Sequence, residues 1–193
     1  QMAEKDVFYK YDSILNNGLK GYGVLNYMTS HDDGQPFDKE RKMPFKTATM
    51  LFLTSGTAQV YYGDESARDL TIEGTVGDAT LRSNMNWNEF SEKQNILAHW
   101  QKLGQFRANH MAVGAGKHAL ISEETGLVFS RVRKNDKVII GINLPKGNKV
   151  IDVSTIFKNG EKLLDSYSNQ TIEVKNGIVS LNSEFDIVLL ESN

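Results

Sequence analysis

The chain has 193 residues, of which 39% are hydrophobic and 24% charged, with a formal net charge of -2. These proportions are typical of a globular protein and argue against disorder. A pI near 6.1 and the lack of long runs of like charge argue against a nucleic-acid partner. The absence of cysteine excludes disulfides, thiol catalysis and cysteine-ligated metals, and no apolar run reaches the roughly 20 residues that cross a bilayer.

The length fits one larger domain or two small ones. The first residues, Gln1-Met2-Ala3, are interpreted as a cut end, so a targeting signal can have been removed with the sequence before them. The compartment therefore stays open, with an extracytoplasmic (periplasmic or secreted) location favoured.

The first half of the chain alternates helix and strand patterns. Apolar spacings of three and four predict a helix over residues 4–15, and an apolar run predicts a buried strand over 24–28. Pro44 suits the first turn of a second helix that ends before Gly56, and residues 58–62 form another strand-like run. The order strand, helix, strand predicts a βαβ unit with parallel strands.

A long polar loop follows, and then a third helix. Residues 66–87 exceed the length of a simple connector, and such loops are more often functional than not. Ser91 and Gln94 match a capping box and predict a helix from there to residue 108. The apolar side chains of that helix are interpreted as a core stripe.

From Gly114 the pattern changes to short runs of alternating residues separated by turns. Asn159-Gly160 and Asn176-Gly177 are strong hairpin signals. Regular spacing of this kind predicts an antiparallel β-sandwich. We expect one domain in residues 1–112 and a second in 113–193. The predicted strands are residues 118–122, 127–132, 138–143, 149–153, 163–165, 171–174, 178–181 and 187–191.

The clearest candidates for catalytic or binding residues lie at the end of the first predicted strand. His31 and Asp32 would project from the strand's carboxyl end, where strand-and-helix barrels carry their chemistry. Structural interpretations compete with this one: His31 can bond to backbone, Asp32 can cap a turn, and Asp33-Gly34 is an ordinary turn pair. Their spacing matches neither a zinc nor an EF-hand site.

Two further stretches of sequence favour the functional interpretation of His31 and Asp32. The run Tyr27-Met28-Thr29-Ser30-His31-Asp32 is followed by Gly56-Thr57-Ala58-Gln59-Val60-Tyr61-Tyr62-Gly63-Asp64-Glu65, and later by a segment from Asp78 through Arg82 to Trp87. In this order the three motifs resemble the last conserved regions of the α-amylase family of glycoside hydrolases. Ser30 and Ala58 replace the family's usual asparagine and proline, and neither change involves a charge.

The resemblance implies the C-terminal portion of a (β/α)8 TIM barrel, strands seven and eight with their helices, followed by the β-sandwich. It also implies a retaining mechanism on α-linked glucans. Asp32 matches the carboxylate that stabilises the transition state, and His31 a neighbouring ligand of the sugar hydroxyls. Asp33 and Arg82 are further candidates for substrate binding. Asp64 and Glu65 could line the substrate cleft or form salt bridges with arginines. The aromatic side chains of Trp87, Tyr62 and Phe37 could stack on sugar rings, but buried aromatic side chains more often pack in the protein interior.

The family's nucleophile and general acid lie on barrel strands four and five, which this sequence lacks. We therefore expect a C-terminal fragment that is inactive alone, and that is stable only with its missing N-terminal barrel portion or by self-association. We expect no cofactor and no metal site in this chain, and leave calcium open for the full-length enzyme.

Two alternatives remain. A non-catalytic carbohydrate-binding or accessory relative would have the same fold. The sandwich itself could be a carbohydrate-binding module, but Phe129, Phe157, Tyr167 and Phe185 are scattered in the sequence and favour packing.

Overall fold

The computed structural model describes residues 4–193, so the interpretation of residues 1–3 as a cut end lies outside the described residues. The first half contains three main helices and a short fourth one, and two very short strands. The helices are α1 (Glu4–Ser13), α2 (Pro44–Leu53), α3 (Gln94–Asn109) and α4 (Met111–Ala115), and the strands are β1 (Leu25–Asn26) and β2 (Thr57–Ala58).

The βαβ prediction is confirmed, because β1 and β2 pair in parallel with α2 between them. Pro44 occupies the start of α2 as predicted. The strands are nevertheless shorter than predicted, and the expectation of a buried strand over residues 24–28 is wrong. Leu25 is 56% exposed and Tyr27 is 50% exposed, since in the described chain β1 has a strand neighbour on one side only.

The predicted capping box at Ser91 is also wrong. Helix α3 begins at Gln94, and its N-cap residue, Lys93, makes no side-chain cap. The backbone N–H groups of Glu92 and Lys93 donate instead to the carbonyl of Glu89, at 3.1 and 3.0 Å. The N–H of Lys93, one of the donors that a serine cap at residue 91 would have served, is therefore satisfied by the preceding turn.

The second half of the chain consists of eight antiparallel strands, which correspond to the eight predicted runs. A six-stranded sheet has the order β3-β4-β5-β10-β7-β8, and β6 pairs with β9 in a second sheet. The strands are β3 (Lys117–Ser122), β4 (Leu127–Arg133), β5 (Asp136–Ile142), β6 (Gly147–Asp152), β7 (Lys162–Asp165), β8 (Gln170–Glu173), β9 (Ile178–Ser183) and β10 (Val188–Ser192).

The six-stranded sheet is covered on both faces. One face packs against β6 and β9, with Val128, Ile139 and Val179 in a common core. The other face packs Phe129 and Ile140 against the helices. Because successive residues of a strand point to opposite faces, β4 and β5 each have five consecutive buried residues, Leu127 to Arg131 and Val138 to Ile142. The boundary predicted at residue 112 stays a prediction, since the core joins helices and sheet.

A buried arginine, Arg131, lies where the helical half meets this sheet, and among residues 4–193 no carboxylate forms an ion pair with it. The Arg131 side chain donates from Nε to His118 Nδ1 at 3.0 Å and from Nη1 to the Val113 carbonyl at 2.9 Å. Burial lowers the pKa of Arg131 to about 10. Burial, with the Arg131 charge adding to it, lowers the pKa of His118 to about 4. His118 is therefore neutral in the folded protein at ordinary pH.

We expect stability to fall by about 3 kcal/mol between pH 7 and pH 4 on account of His118 alone. The unfolded chain protonates this histidine near pH 6.5, whereas the folded protein resists until about pH 4. Acid therefore favours the unfolded state in that window. Thermal unfolding of the full-length protein across this range measures the loss.

The matched variant is His118→Asn, because asparagine keeps an acceptor at the δ position but cannot be protonated. The variant should lose less stability over the same pH window than the wild type. Equal losses in the two proteins would contradict the assignment to His118.

Candidate functional site

The loop after β1 presents His31 and Asp32 at an open rim. The backbone N–H of Phe37 donates to the Met28 carbonyl at 3.0 Å, which closes the base of the loop. The side chains of His31 and Asp32 are 63% and 62% exposed. In the described chain these two side chains are therefore largely open to solvent.

Arg82 reaches this loop from the segment after β2. Arg82 closes a short 3₁₀-helix, Gly77–Arg82. Its Nη2 atom lies 3.0 Å from Asp32 Oδ1, and its Nε donates to the His31 carbonyl at 3.3 Å. His31 Nε2 lies 3.1 Å from Asp32 Oδ2. The structure thus brings three of the four predicted site residues together, and each carboxylate oxygen of Asp32 keeps a lone pair for another donor.

Asp33, the fourth predicted residue, is placed differently. Its Oδ1 accepts a hydrogen bond of 2.9 Å from the backbone N–H of Gln35. This is the arrangement of an Asx turn, in which the side chain shapes its own loop. In the described chain Asp33 has no hydrogen bond to His31, Asp32 or Arg82, so its geometry matches the turn interpretation that the sequence left open.

The sequence left two roles possible for Asp64 and Glu65, lining the cleft or making structural pairs. In the structure both make structural contacts. Asp64 is buried and forms an ion pair of 2.7 Å with Arg41. Burial raises the pKa of Asp64, and the Arg41 guanidinium opposes that rise. Glu65 Oε2 accepts from the backbone N–H of Gly63 at 2.9 Å. These two carboxylates therefore shape the loop after β2.

Sequence reasoning missed Arg68, which is 1% exposed and lies behind Arg82. Its guanidinium donates to the Leu81 carbonyl at 3.1 Å and to the Ser83 carbonyl at 3.3 Å. Arg68 stands in a polar stretch of sequence that gives no periodic signal of burial. Only the nearby turn glycine, Gly63, could have indicated a close approach at this point.

The three candidate stacking rings differ in exposure. Trp87 is 71% exposed and Tyr62 is 42% exposed, whereas Phe37 is half-buried. Trp87 is therefore largely open to solvent in the described chain, although its ring lies beside that of Phe90, with 5.2 Å between the ring centroids. Tyr62 is fixed by a hydrogen bond of 2.8 Å from its hydroxyl to the Ser83 carbonyl. Trp87 and Tyr62 are thus partly open to solvent in the segments that follow β2.

Three cavities of the described chain lie away from this rim. The structure has cavities of about 690, 630 and 520 Å³, and none of the three is lined by His31, Asp32 or Arg82. Within residues 4–193 no three acidic or histidine side chains gather in a way that could hold a metal ion. In the same range no helix is both long and apolar enough to cross a membrane.

Aromatic residues of the sandwich mostly pack, as predicted. Phe129 and Phe157 are buried in the two cores and Tyr167 is 8% exposed. Phe185 is 42% exposed, with its ring 5.1 Å from that of Tyr167. Two of the four rings scattered in the sequence are therefore neighbours in space.

Comparison with known sequences finds relatives of this chain. No family model matches the chain. The chain is 42% identical over 141 residues to the periplasmic alpha-amylase of Escherichia coli strain K12, an alignment that covers 72% of this chain and 18% of that protein. The chain therefore spans less than a fifth of this curated relative.

Solved structures agree in fold at lower identity. The alpha-amylase from Geobacillus thermoleovorans, complexed with acarbose, superposes with a TM-score of 0.67 and 16% identity, covering 98% of this chain and 43% of that one. The pullulanase from Anoxybacillus sp. LM18-11, complexed with maltotriose, gives a TM-score of 0.66 and 14% identity, covering 97% and 30%. At such identities the likeness concerns the fold.

Proposed function

Because the chain belongs to the α-amylase family of glycoside hydrolases, we propose that it is the C-terminal part of a retaining enzyme. The whole enzyme would hydrolyse α-glucosidic bonds in starch-like glucans or maltooligosaccharides. In this proposal, β1 and β2 are the seventh and eighth strands of a (β/α)8 barrel, and residues 113–193 are the C-terminal β-sandwich. The observation that carries the proposal is the meeting of His31, Asp32 and Arg82 at the carboxyl ends of two parallel strands.

Asp32 would bind the sugar ring at the point of cleavage. An ionised carboxylate accepts hydrogen bonds from ring hydroxyls, each worth roughly 1.5–3 kcal/mol when charge-assisted. Only bonds that tighten as the ring flattens and gains positive charge accelerate the reaction. The free lone pairs on both oxygens of Asp32 suit this role, so we assign it as the transition-state stabiliser.

The neighbouring residues would bind substrate and hold Asp32 in place. His31 Nε2 lies 3.1 Å from Asp32 Oδ2 and can donate either to that oxygen or to a sugar hydroxyl. Arg82 fixes the other carboxylate oxygen at 3.0 Å. Asp33 stays a candidate substrate ligand, although in this structure it shapes its own turn.

The bond-breaking carboxylates would come from elsewhere in the enzyme. In retaining glycosidases a nucleophile and a general acid about 5–5.5 Å apart carry out the cleavage. We assign both to the missing N-terminal barrel portion, so the chain alone would be inactive. Two observations fit a missing partner: the outer edges of β1 and β2 have no strand neighbour in the described chain, and Leu25, Tyr27 and Val60 are each at least 42% exposed.

The remaining attributes follow from the same proposal. The name of the Escherichia coli relative supports an extracytoplasmic location, and the ligands named with the solved structures support an oligosaccharide substrate. The described side chains offer no cluster fit for calcium, so we assign any calcium of the full-length enzyme to residues upstream. The alternative function is a non-catalytic carbohydrate-binding or accessory relative. An Asp on barrel strand four and a Glu on barrel strand five would favour the enzyme instead.

The test compares the full-length protein with this 193-residue chain. We expect the full-length protein to release reducing ends from soluble starch and the chain alone to release none above background. Supplying the upstream barrel portion as a separate polypeptide should restore part of the activity. Hydrolysis by the chain alone would overturn the proposal, and an inactive full-length protein that still binds maltotriose would favour the alternative.

Solution behaviour gives an independent check on the missing partner. We expect the chain alone to self-associate or to unfold without cooperativity, because apolar side chains and strand edges stay uncovered. Analytical ultracentrifugation and thermal unfolding measure both properties. A monodisperse monomer with cooperative unfolding would contradict this part of the proposal.

A further inference from the structure

Arg68 is a charged side chain that is completely enclosed by protein. It is 1% exposed and has no carboxylate within ion-pair distance among the described residues. Its guanidinium is instead bonded to backbone oxygens: Nε donates to the Tyr62 carbonyl at 3.1 Å and Nη2 to the Leu81 carbonyl at 3.1 Å. A buried charge of this kind is costly unless its donors are satisfied, so its presence calls for a reason.

The bonds of Arg68 lie on both sides of Arg82. Nη2 binds the carbonyl of Leu81, and Nη1 binds both the carbonyl and the hydroxyl of Ser83. The residue between these two, Arg82, has its backbone fixed by this fork. Its own side chain is then free to extend outward to Asp32 and the His31 carbonyl.

Two tyrosines reinforce the same pair of carbonyls. The Tyr61 hydroxyl donates to the Leu81 carbonyl and the Tyr62 hydroxyl to the Ser83 carbonyl, each at 2.8 Å. The Arg68 guanidinium lies 4.1 Å from the centre of the Tyr62 ring, a cation–π distance. The arginine and the two tyrosines therefore form one clamp that joins the end of β2 to the segment carrying Arg82.

The clamp is also attached to the loop after β1. Arg41 Nε donates to the Arg68 carbonyl at 2.8 Å, and Arg41 Nη2 lies 2.7 Å from Asp64 Oδ1. The loop that carries His31 and Asp32 is thus tied to the clamp by a buried ion pair as well as by the exposed Arg82–Asp32 contact. Exposed pairs contribute little to stability by themselves, so the buried contacts set the relative position of the two loops.

We infer that Arg68 is a positioning residue: it fixes the Leu81–Ser83 backbone so that Arg82 holds Asp32 in the orientation needed for the reaction. This inference rests on the proposed function, in which Asp32 stabilises the transition state. Arg68 itself touches no substrate. Its effect on the reaction passes through Arg82.

Lysine cannot replace arginine in this clamp. The planar fork of a guanidinium donates to three carbonyls in fixed directions, whereas an ammonium is a single point of charge on a flexible stem. Arg68→Lys keeps the charge but loses the simultaneous grip on both sides of Arg82. Displacements of about 1 Å at a catalytic group can cost 10²-fold in rate, so we expect kcat to fall by about 10- to 100-fold.

The experiment is a double-mutant cycle in the full-length enzyme, with Arg68→Lys, Arg82→Gln and the double variant assayed on soluble starch. If Arg68 acts through Arg82, the double variant should be no slower than Arg82→Gln alone, because the group being positioned is already gone. Losses that multiply in the double variant would overturn the inference. Wild-type-like kcat in Arg68→Lys would overturn it as well.

Arg107→Lys is the matched control for a loss of fold. Arg107 also donates to carbonyls, those of Phe52 and Thr54 at 2.6 and 2.9 Å, but it contacts no residue of the rim. Circular dichroism and thermal unfolding should show both lysine variants folded and less stable, with only Arg68→Lys reduced in kcat per folded molecule. An equal drop in kcat in both variants would show that Arg68 has a structural role only. An inactive wild-type enzyme would count against the proposed function rather than against this inference.

Discussion

Replacing Asp32 with asparagine in the full-length enzyme should lower kcat on soluble starch by about 10²–10³-fold. Removing one preorganised group that stabilises transition-state charge has that size of effect in other enzymes. Asparagine keeps the shape of the side chain and can still accept one hydrogen bond, so the loss reports the charge and not the packing. The contacts of Asp32 with Arg82 and His31, at 3.0 and 3.1 Å, favour a fixed carboxylate at this place.

Thermal stability separates this prediction from a folding defect. Asp32 is 62% exposed, and an exposed ion pair contributes at most about 1 kcal/mol, so the variant should unfold near the wild-type temperature. The control is Asp69→Asn, whose side chain is exposed and accepts only from the backbone N–H of Thr71, at 2.7 Å. Reducing-end assays should show normal kcat for the control, and an unchanged kcat in Asp32→Asn would remove Asp32 from the mechanism.

The second large effect is expected at Gly63. Its φ of +83° is unfavourable for other residues, and an added Cβ would lie 2.5 Å from Arg68 Nε and 2.6 Å from Arg68 Cβ. Strain at positive φ costs about 1–2 kcal/mol, and forced overpacking a further 1–3 kcal/mol. Gly63→Ala should therefore destabilise the protein by about 2–5 kcal/mol and also displace the Arg68 clamp.

Gly74→Ala separates the two causes. Gly74 has a nearly identical φ of +80°, but nothing lies within 4 Å of its added Cβ. The control should show only the backbone strain of about 1–2 kcal/mol. Thermal unfolding of the two variants of the full-length protein measures the difference, and equal destabilisation would mean that the close approach of Arg68 to Gly63 does not matter.

Local patterns in the sequence predicted most of the fold. The turn pairs Asn159-Gly160 and Asn176-Gly177 need positive φ, which the structure shows at Gly160, Asn176 and Gly177. Such turns depend on a few adjacent residues, so sequence alone identifies them. The parallel pairing of β1 with β2 was predictable for a similar reason, since a helix between two apolar runs allows few other arrangements.

Features that depend on distant residues escaped prediction. The donors near Ser91 are satisfied by Glu89, so a local capping signal was overridden by a neighbouring turn. The exposure of Leu25 and Tyr27 depends on which strands flank β1, and an apolar run carries no information about that. Arg68 is buried because carbonyls from residues 6 to 15 positions away converge on it, and no spacing rule describes such a contact.

The candidate site also contains some residues that the sequence predicted and others that only the structure identified. His31, Asp32 and Arg82 were predictable because their motifs occur in a recognisable order, and their contacts agree with one shared site. Asp64 was left between two roles, and its buried pair with Arg41 is visible only in three dimensions. The sequence therefore indicated the groups at the rim, while the structure was needed to find the buried residues that hold them.

The most direct test is a crystal structure of the full-length enzyme with bound acarbose. If Asp32 grips the reacting sugar, its carboxylate oxygens and His31 Nε2 should lie within about 3.2 Å of hydroxyls on the ring at the cleavage point. Arg82 should still contact Asp32 from the opposite side. A sugar bound elsewhere, with Asp32 bonded only to His31 and Arg82, would contradict the account.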